Sequence, residues 1–396
     1  MIQISPETQL FIREHSSDDV RALALQAKKY PDINMPTAIT QIAGRQVAAE
    51  KIPSWREIEE IWYPKHLSLE QCSSEITARY KARLFQGDSL TDLTGGFGID
   101  CSFLATGFKS ATYVERQEEL CEIAAHNFPI LNLNHINVRN EDGVAYLQTM
   151  SPVDCIFLDP ARRNEHGGKT VAISDCEPNV AELEALLLSK ANRVMIKLSP
   201  MLDLSLALKE LKHTQEVHIL SVNNECKELL ILLGQTSPAE ITIHCVNLFT
   251  KGTQEEQHFV FTREQEQRSQ CTYTDSLGDY LYEPNASLLK AGAFRSIAAA
   301  YPVRKLHPNS HLYTSDTFIE NFPGRIFRIV NQCSFNKKEV KENLADLKKA
   351  NVTVRNFPAT VAELRKRLHL TEGGDTYLFA STLNNGQKVI IRCEKV

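Results

Sequence analysis

The 396-residue sequence is short of several things, and each shortage removes a class of protein. Its longest uninterrupted apolar run, Leu229 to Leu233, falls far below the roughly 20 residues that a bilayer-spanning helix needs. The opening stretch, MIQISPETQLFIREHSSDD, has no basic segment followed by an apolar one, so no secretory signal is expected. The ten cysteines include no C-x-x-C pair and lie in apolar or helical contexts, which argues for reduced thiols and against a disulfide framework. Charge excess is also small: 44 Lys+Arg stand against 49 Asp+Glu, a net −5, and 42% of residues are apolar. That balance excludes disordered, collagen-like and low-complexity classes. At about 100–200 residues per domain the length implies two to four domains. A cytoplasmic enzyme of several domains is the resulting expectation, with no membrane partner.

The near-neutral total hides an asymmetry. Between Gly324 and Leu370 eleven Lys/Arg face four acids, so this segment is +7 and the remainder −12. A basic region on an acidic protein has the form of an electrostatic footprint for a polyanion. Within it Arg365, Lys366 and Arg367 are the candidate polyanion-binding residues. A pair of helices with solvated lysines on their outer faces is the alternative.

Along the chain, residues 1 to about 67 read as helices broken at Pro31, Pro36, Pro53 and Pro64. Ser68 and Gln71 have capping-box spacing, and Leu69, Cys72, Ile76, Tyr80 and Leu84 form one apolar stripe, predicting a single helix from Ser68 to Leu84. From Ser89 to about Gly234 short apolar runs alternate with helical stretches. Candidate strands are 90–93, 110–114, 136–138, 153–158, 194–198, 217–222 and 229–233. Such alternation implies a mostly parallel sheet covered on both faces. Only NNECKE separates the last two strands, too little for a crossover helix, so that pair is expected to be antiparallel. ITIHCVNLF (241–249) and HFVFTRE (258–264) read as a strand pair in a small insert. The basic part follows a β-α-β-α-β-β order, with a helix capped by Thr360 and Glu363 and a hairpin turning at Asn385-Gly386. The expected divisions are 1–80 helical, 81–236 the α/β domain, 237–282 the insert and 283–396 a compact α+β domain.

The chemistry concentrates in a few turns. Asp92-Leu-Thr94-Gly95-Gly96-Phe-Gly98-Ile-Asp100 follows a predicted strand and precedes a helix, where glycines let a ligand approach the backbone closely. A dinucleotide loop is also glycine-rich, but it usually opens with Gly where this chain has Asp92, and a carboxylate suits a cationic sulfonium cofactor better than a pyrophosphate. Glu115 ends the second strand, where a carboxylate can grip both hydroxyls of a ribose. Asp142 follows the third strand and can accept from an adenine amino group. Asp159-Pro160-Ala161-Arg162 follows the fourth, at the strand edge where open α/β sheets bind ligands. A carboxylate and a backbone carbonyl there can hold an exocyclic amine. Arg162 and Arg163 are then candidates to meet a phosphate or the base.

DLTGGFG, Glu115, EDG and DPAR, in that order and spacing, resemble class I S-adenosylmethionine-dependent methyltransferases over about 80–234. Thr94 stands where the family's D-x-G-x-G-x-G has its first Gly, a departure that nucleic-acid methyltransferases of the group often share. The leading LEQCSSEITARYKARL, the insert and the C-terminal NFP-x5-ELRKRL…GGDTYLF resemble one bacterial subgroup with a small ferredoxin-like insert and a C-terminal THUMP-like domain. The resemblance implies a Rossmann-like seven-stranded α/β sheet of order 3-2-1-4-5-7-6, with an N-terminal helical region and a C-terminal α+β domain. It implies S-adenosylmethionine as cofactor, held by Asp92, Thr94, Gly95, Gly96, Gly98, Glu115 and Asp142, with Asp159, Pro160 and Arg162 at the reacting amine. THUMP-type domains are associated with RNA, which fits the basic segment and points to rRNA or tRNA.

DPAR resembles both the (N/D)-P-P-(Y/F) signature of amino-methyltransferases and the D-P-P-R of RNA uracil C5 enzymes. The latter need a nucleophilic cysteine after the fifth strand, where this chain has Lys197-Leu-Ser199-Pro200. Cys226 is the remaining thiol to consider. Lys197 can line the pocket or snorkel to the surface. N-methylation of an RNA base is therefore the expected activity, with a small-molecule methyltransferase lidded by its C-terminal domain, an NAD-dependent oxidoreductase and a non-catalytic RNA-binding protein as rivals. No His/Cys/Asp spacing argues for zinc, since Cys121 and His126 fall off one helix face.

Overall fold

The computed structural model describes residues 4–162 and 172–396. They fall into two compact units, one running to Gln215 and including Leu230–Pro238, the other made of Glu216–Leu229 and Ala239–Val396.

The first unit opens with helices Pro6–Glu14, Val20–Leu25, Met35–Lys51 and Pro53–Arg56. The helix breaks expected at Pro36 and Pro53 fall just before them, and both prolines occupy first-turn positions, where a missing N–H costs nothing. Asn34 caps the long helix by accepting from Thr37 N, and Phe11, Leu23, Met35, Ala38 and Ile42 bury against one another. The single helix expected from Ser68 to Leu84 is two, His66–Gln71 and Glu75–Leu84, parted at Cys72–Ser74. The Ser68/Gln71 capping box does not form, because Ser68 lies inside the first helix and Lys65 takes the cap position.

Strands β1 (Gly87–Asp92), β2 (Phe108–Glu115), β3 (Ile136–Asn140), β4 (Val153–Leu158) and β5 (Ala191–Leu198) pair in parallel in the order β3-β2-β1-β4-β5. Helices Ile99–Leu104, Glu118–Ile130, Gly143–Thr149 and Val180–Lys190 lie between them in sequence. The central strands are apolar and buried over Cys155–Leu158 and Val194–Ile196, as a sheet covered on both faces requires. Strand β6 (Thr214–Val222) turns through Asn223 and Asn224, at φ 49° and 68°, into β7 (Glu225–Gly234). Two successive residues at positive φ make a tight hairpin, so β6 and β7 are antiparallel, as expected. Strand β7 neighbours β5 on one side and β6 on the other, giving the expected order 3-2-1-4-5-7-6.

In the second unit β6 also pairs in parallel with β8 (Thr242–Leu248), which pairs antiparallel with β9 (Glu256–Thr262). The sheet thus has nine strands among the described residues rather than seven. A second sheet contains β10 (Tyr280–Pro284), β11 (Arg304–Lys305), β12 (Tyr313–Ser315), β13 (Gly324–Ser334), β14 (Asn351–Val354), β15 (Thr376–Thr382) and β16 (Lys388–Lys395). Its order is β11-β12-β10-β13-β16-β15-β14. Helices Lys337–Leu344 and Val361–Leu368 complete the expected β-α-β-α-β-β module, and Leu344, Leu364, Leu378 and Ile390 form part of its core. The Thr360/Glu363 capping box forms in both directions. The β15–β16 connection is longer than a two-residue Asn385-Gly386 turn. Leu383 accepts from Gly386 N and donates its own N–H to Gln387 O, with Gly386 alone at positive φ, 86°. No helix among the described residues is long and apolar enough to cross a membrane.

Candidate active site

The carboxyl ends of β1 to β4 bring the sequence-predicted acids into one place. Asp92 ends β1 almost wholly buried, and its Oδ1 accepts from Thr94 N at 3.0 Å. Its Oδ2 is buried with no hydrogen-bond partner. Glu115 ends β2, accepting from Gly96 N at 2.9 Å through Oε2 and from Gln117 N at 2.8 Å through Oε1. The glycine loop is therefore pinned to the second strand by a side chain at that strand's tip. Gly95 cannot be otherwise: a Cβ there would lie 2.2 Å from the ring of Tyr113, whose hydroxyl donates to Gly96 O. Gly96 and Gly98 have φ 53° and 86°.

Asp142 follows β3 and caps the next helix, its Oδ1 accepting from Val144 N and Ala145 N at 3.0 Å each. A Cβ on the adjoining Gly143 would sit 2.1 Å from Leu93 O, so this turn packs directly on the residue after Asp92. After β4, Asp159 N donates to Thr94 Oγ1 at 2.6 Å, and Pro160 is buried. That bond explains the threonine in the glycine motif: its hydroxyl ties the first turn to the fourth. Ala161–Arg162 forms a short antiparallel ribbon with Cys176–Glu177. Arg163 lies outside the described residues.

The sequence offers Lys197 as a possible pocket residue but gives no sign of the cluster it joins. Lys197, at the end of β5, is buried rather than snorkelled, and its Nζ lies 2.6 Å from Asp159 Oδ2, 3.2 Å from Asp100 Oδ2 and 3.0 Å from Ser73 Oγ. Lys81, with a fully buried side chain, lies 2.8 Å from Asp100 Oδ1 and donates to Ser73 Oγ at 2.8 Å. Ser73 in turn donates to Asp100 Oδ2 at 2.7 Å. Two lysines thus neutralise two aspartates, with the serine stitching them together. Burial opposes ionisation of Asp100, but the Lys81 and Lys197 ammonium groups overcome it and hold that carboxyl well below the ordinary range. Asp92 has no cation among these contacts. Burial, reinforced by Asp100, Asp159 and Glu115 against one N–H from Thr94, pushes its pKa up to about 8.

In the second unit, Arg365 on the helix Val361–Leu368 pairs with Glu372 at 3.1 Å, Arg367 stacks 4.0 Å over the Phe335 ring, and Lys366 is exposed. Cys226 is half-buried, and burial pushes its thiol up to about 11. Cys121 and His126 make structural contacts, to Glu115 O at 3.2 Å and Glu60 O at 2.8 Å.

The crystal structure of a candidate methyltransferase from Porphyromonas gingivalis W83 aligns over 100% of both chains, at 34% identity and a TM-score of 0.88. The chain belongs to this methyltransferase family. Family models place a ferredoxin-like domain at residues 280–323 and a THUMP domain-like region at 324–395. An rRNA methylase from Streptococcus thermophilus aligns at 13% identity over 40% of this chain and 93% of that one, with a TM-score of 0.30. A candidate methyltransferase from Streptococcus mutans in complex with SAH aligns at 12% identity over 40% and 96%, also with a TM-score of 0.30. No curated protein matches the chain. In this methyltransferase the acids at the ends of β1 to β4 and the lysine-aspartate cluster beside them make up the candidate site.

Proposed function

We propose that this methyltransferase uses S-adenosylmethionine to methylate a nitrogen of an RNA base. The observation that carries the cofactor assignment is the orphaned, buried Oδ2 of Asp92, with the acids Asp100, Asp159 and Glu115 nearby, surroundings that suit a cationic ligand. Asp92, Glu115, Asp142 and the loop Thr94–Gly98 would hold the cofactor, which supplies an electrophilic methyl group when bound. Asp159 and Pro160 would face the substrate. With Oδ2 fixed by Lys197 and its N–H fixed by Thr94, the Asp159 carboxylate is held in one orientation before substrate arrives, so an amine can be aligned at little entropic cost. Arg162 and Arg163 remain candidates for contact with the base or a phosphate. N-methylation needs no covalent adduct, and a Cys226 thiol raised to about 11 is poorly suited to form one.

The THUMP domain-like match and the +7 segment support RNA, rRNA or tRNA, as the substrate. A cytoplasmic location accords with the scattered thiols. One observation favours the small-molecule reading instead: Arg325 and Arg355 pair with Glu283, Arg328 with Glu394 and Arg365 with Glu372, which reduces the charge left for phosphates.

Mass spectrometry of RNA nucleosides from a strain lacking the gene tests the proposal. One N-methylated nucleoside should disappear and return with the wild-type gene or Cys226→Ala. Asp159→Ala should fail to restore it, and Asp159→Asn, which keeps one acceptor oxygen, should restore part. An unchanged nucleoside profile would overturn the RNA assignment. Loss of a 5-methyluridine dependent on Cys226 would overturn N-methylation.

A further inference from the structure

Away from the methyltransferase site, the second unit carries three metal-ligand side chains on adjacent strands. Glu216 and His218 are two residues apart on β6 and so emerge on one face of the sheet. Strand β8 pairs in parallel with β6 in a register that sets His244 directly beside His218. His218 Nε2 lies 3.2 Å from Glu216 Oε2, and His244 Nε2 lies 3.7 Å from the same oxygen. Ligand atoms of all three lie within 4.8 Å of one another. A tetrahedral zinc ion with bonds of about 2.0–2.1 Å spaces its ligand atoms about 3.3–3.4 Å apart. The three donors therefore stand near coordination spacing with no change of backbone.

A fourth residue gives the cluster the usual outer layer of a metal centre. His258 lies on β9, in the antiparallel register that pairs it with Val246, which makes it the diagonal same-face neighbour of His244. His244 Nδ1 and His258 Nε2 are 3.2 Å apart. A metal-bound imidazole characteristically donates its other N–H to a fixed acceptor, which sets the tautomer. With His258 as that acceptor, His244 turns an unprotonated Nε2 toward Glu216 and His218. The His218 and His244 rings stack at 4.3 Å with their planes 5° apart. Coordination asks that they splay toward the ion by rotation about χ2.

We infer that Glu216, His218 and His244 bind a zinc ion, with His258 orienting His244. Two imidazoles and a carboxylate suit zinc better than magnesium or calcium, which prefer all-oxygen sites. Three protein ligands leave one coordination position open. Glu216, 41% exposed, gives the ion a path from solvent, while His218, 3% exposed, anchors the inner side.

The test uses the full chain without a polyhistidine tag, stripped with EDTA and titrated with zinc chloride against a chromophoric chelator. One equivalent should bind. His218→Asn and His244→Asn should each lose at least about a hundredfold in affinity, and His258→Ala about 10–100-fold at unchanged stoichiometry. Cobalt substituted into the wild-type chain should give a tetrahedral spectrum without a thiolate charge-transfer band, which excludes the cysteines and does not depend on any variant folding. Failure of the wild-type chain to compete with the chelator would overturn the inference. So would a thiolate band, or wild-type affinity in a folded His218→Asn/His244→Asn double variant.

Discussion

A carboxyl shut away from water with no cation beside it keeps its proton past neutrality, and Asp92 is in that position. The unfolded chain ionises this group near pH 4, at about the ordinary value, whereas the folded chain does so at about 8. Across that window the folded state holds the extra proton, so the contribution of Asp92 to stability is full below about pH 4 and is lost as pH rises toward 8. A cationic cofactor held beside Asp92, as proposed, would reverse the preference and expel the proton. Its affinity should therefore climb about tenfold per pH unit up to pH 8 and flatten above it. Calorimetric titration in buffers of different ionisation heat should register release of about one proton at neutral pH. Asp92→Asn should flatten the profile, and a flat profile in the wild-type chain would remove Asp92 from the cofactor site.

Among the elements, the interrupted helix before β1 has the largest effect on the site. Unwinding at Cys72–Ser74 frees Ser73 to bridge Lys81, Asp100 and Lys197, which continuous helix would prevent. Lys81 is the buried cation of that helix, and losing one partner of a buried pair costs roughly 3–5 kcal/mol. Because Asp100 retains Lys197, Lys81→Met should destabilise the chain by about 3 kcal/mol in urea unfolding. A loss below about 1 kcal/mol would mean the lysine is not shielded as described. Nothing in the sequence marked it. Between Arg79 and Arg83, Lys81 reads as one more solvated base, and its partners, Ser73 and Asp100, come from the helix break and the glycine-loop helix, which only folding brings to it. The strands were legible because each is a short apolar run ending at a polar turn. Asp92, Glu115, Asp142 and Asp159 were legible because they sit at those ends. The helix break was not, because Cys72 continues the apolar stripe through it. The metal-ligand cluster escaped because its residues come from two strands joined by no local spacing rule.

At the scale of the whole molecule, charge is unevenly spread: +7 over residues 324–370 and −12 elsewhere. Internal ion pairs absorb Arg325, Arg328, Arg355 and Arg365, so the charge available for RNA rests mainly on the lysines and Arg367. Reversing Arg365, Lys366 and Arg367 to glutamate should weaken RNA binding and reduce the slope of log affinity against log salt by about one per lost phosphate contact. Cofactor affinity should be unchanged. Filter binding at several salt concentrations measures this, and an unaltered slope would identify the segment as a solvated face.

The way the chain is threaded through the two units has its own consequence. It leaves the first unit after Gln215, returns at Leu230, and departs finally after Pro238, so strand β7 begins in one unit and ends in the other. No single cut separates the two. A fragment ending at Pro238 carries the whole first unit but also Glu216–Leu229 of the second, and a fragment beginning at Ala239 lacks that segment. Exchange of the second unit between related genes therefore has to carry Glu216–Leu229 along with the chain after Pro238, whereas the THUMP domain-like segment at 324–395 lies wholly beyond the last crossing.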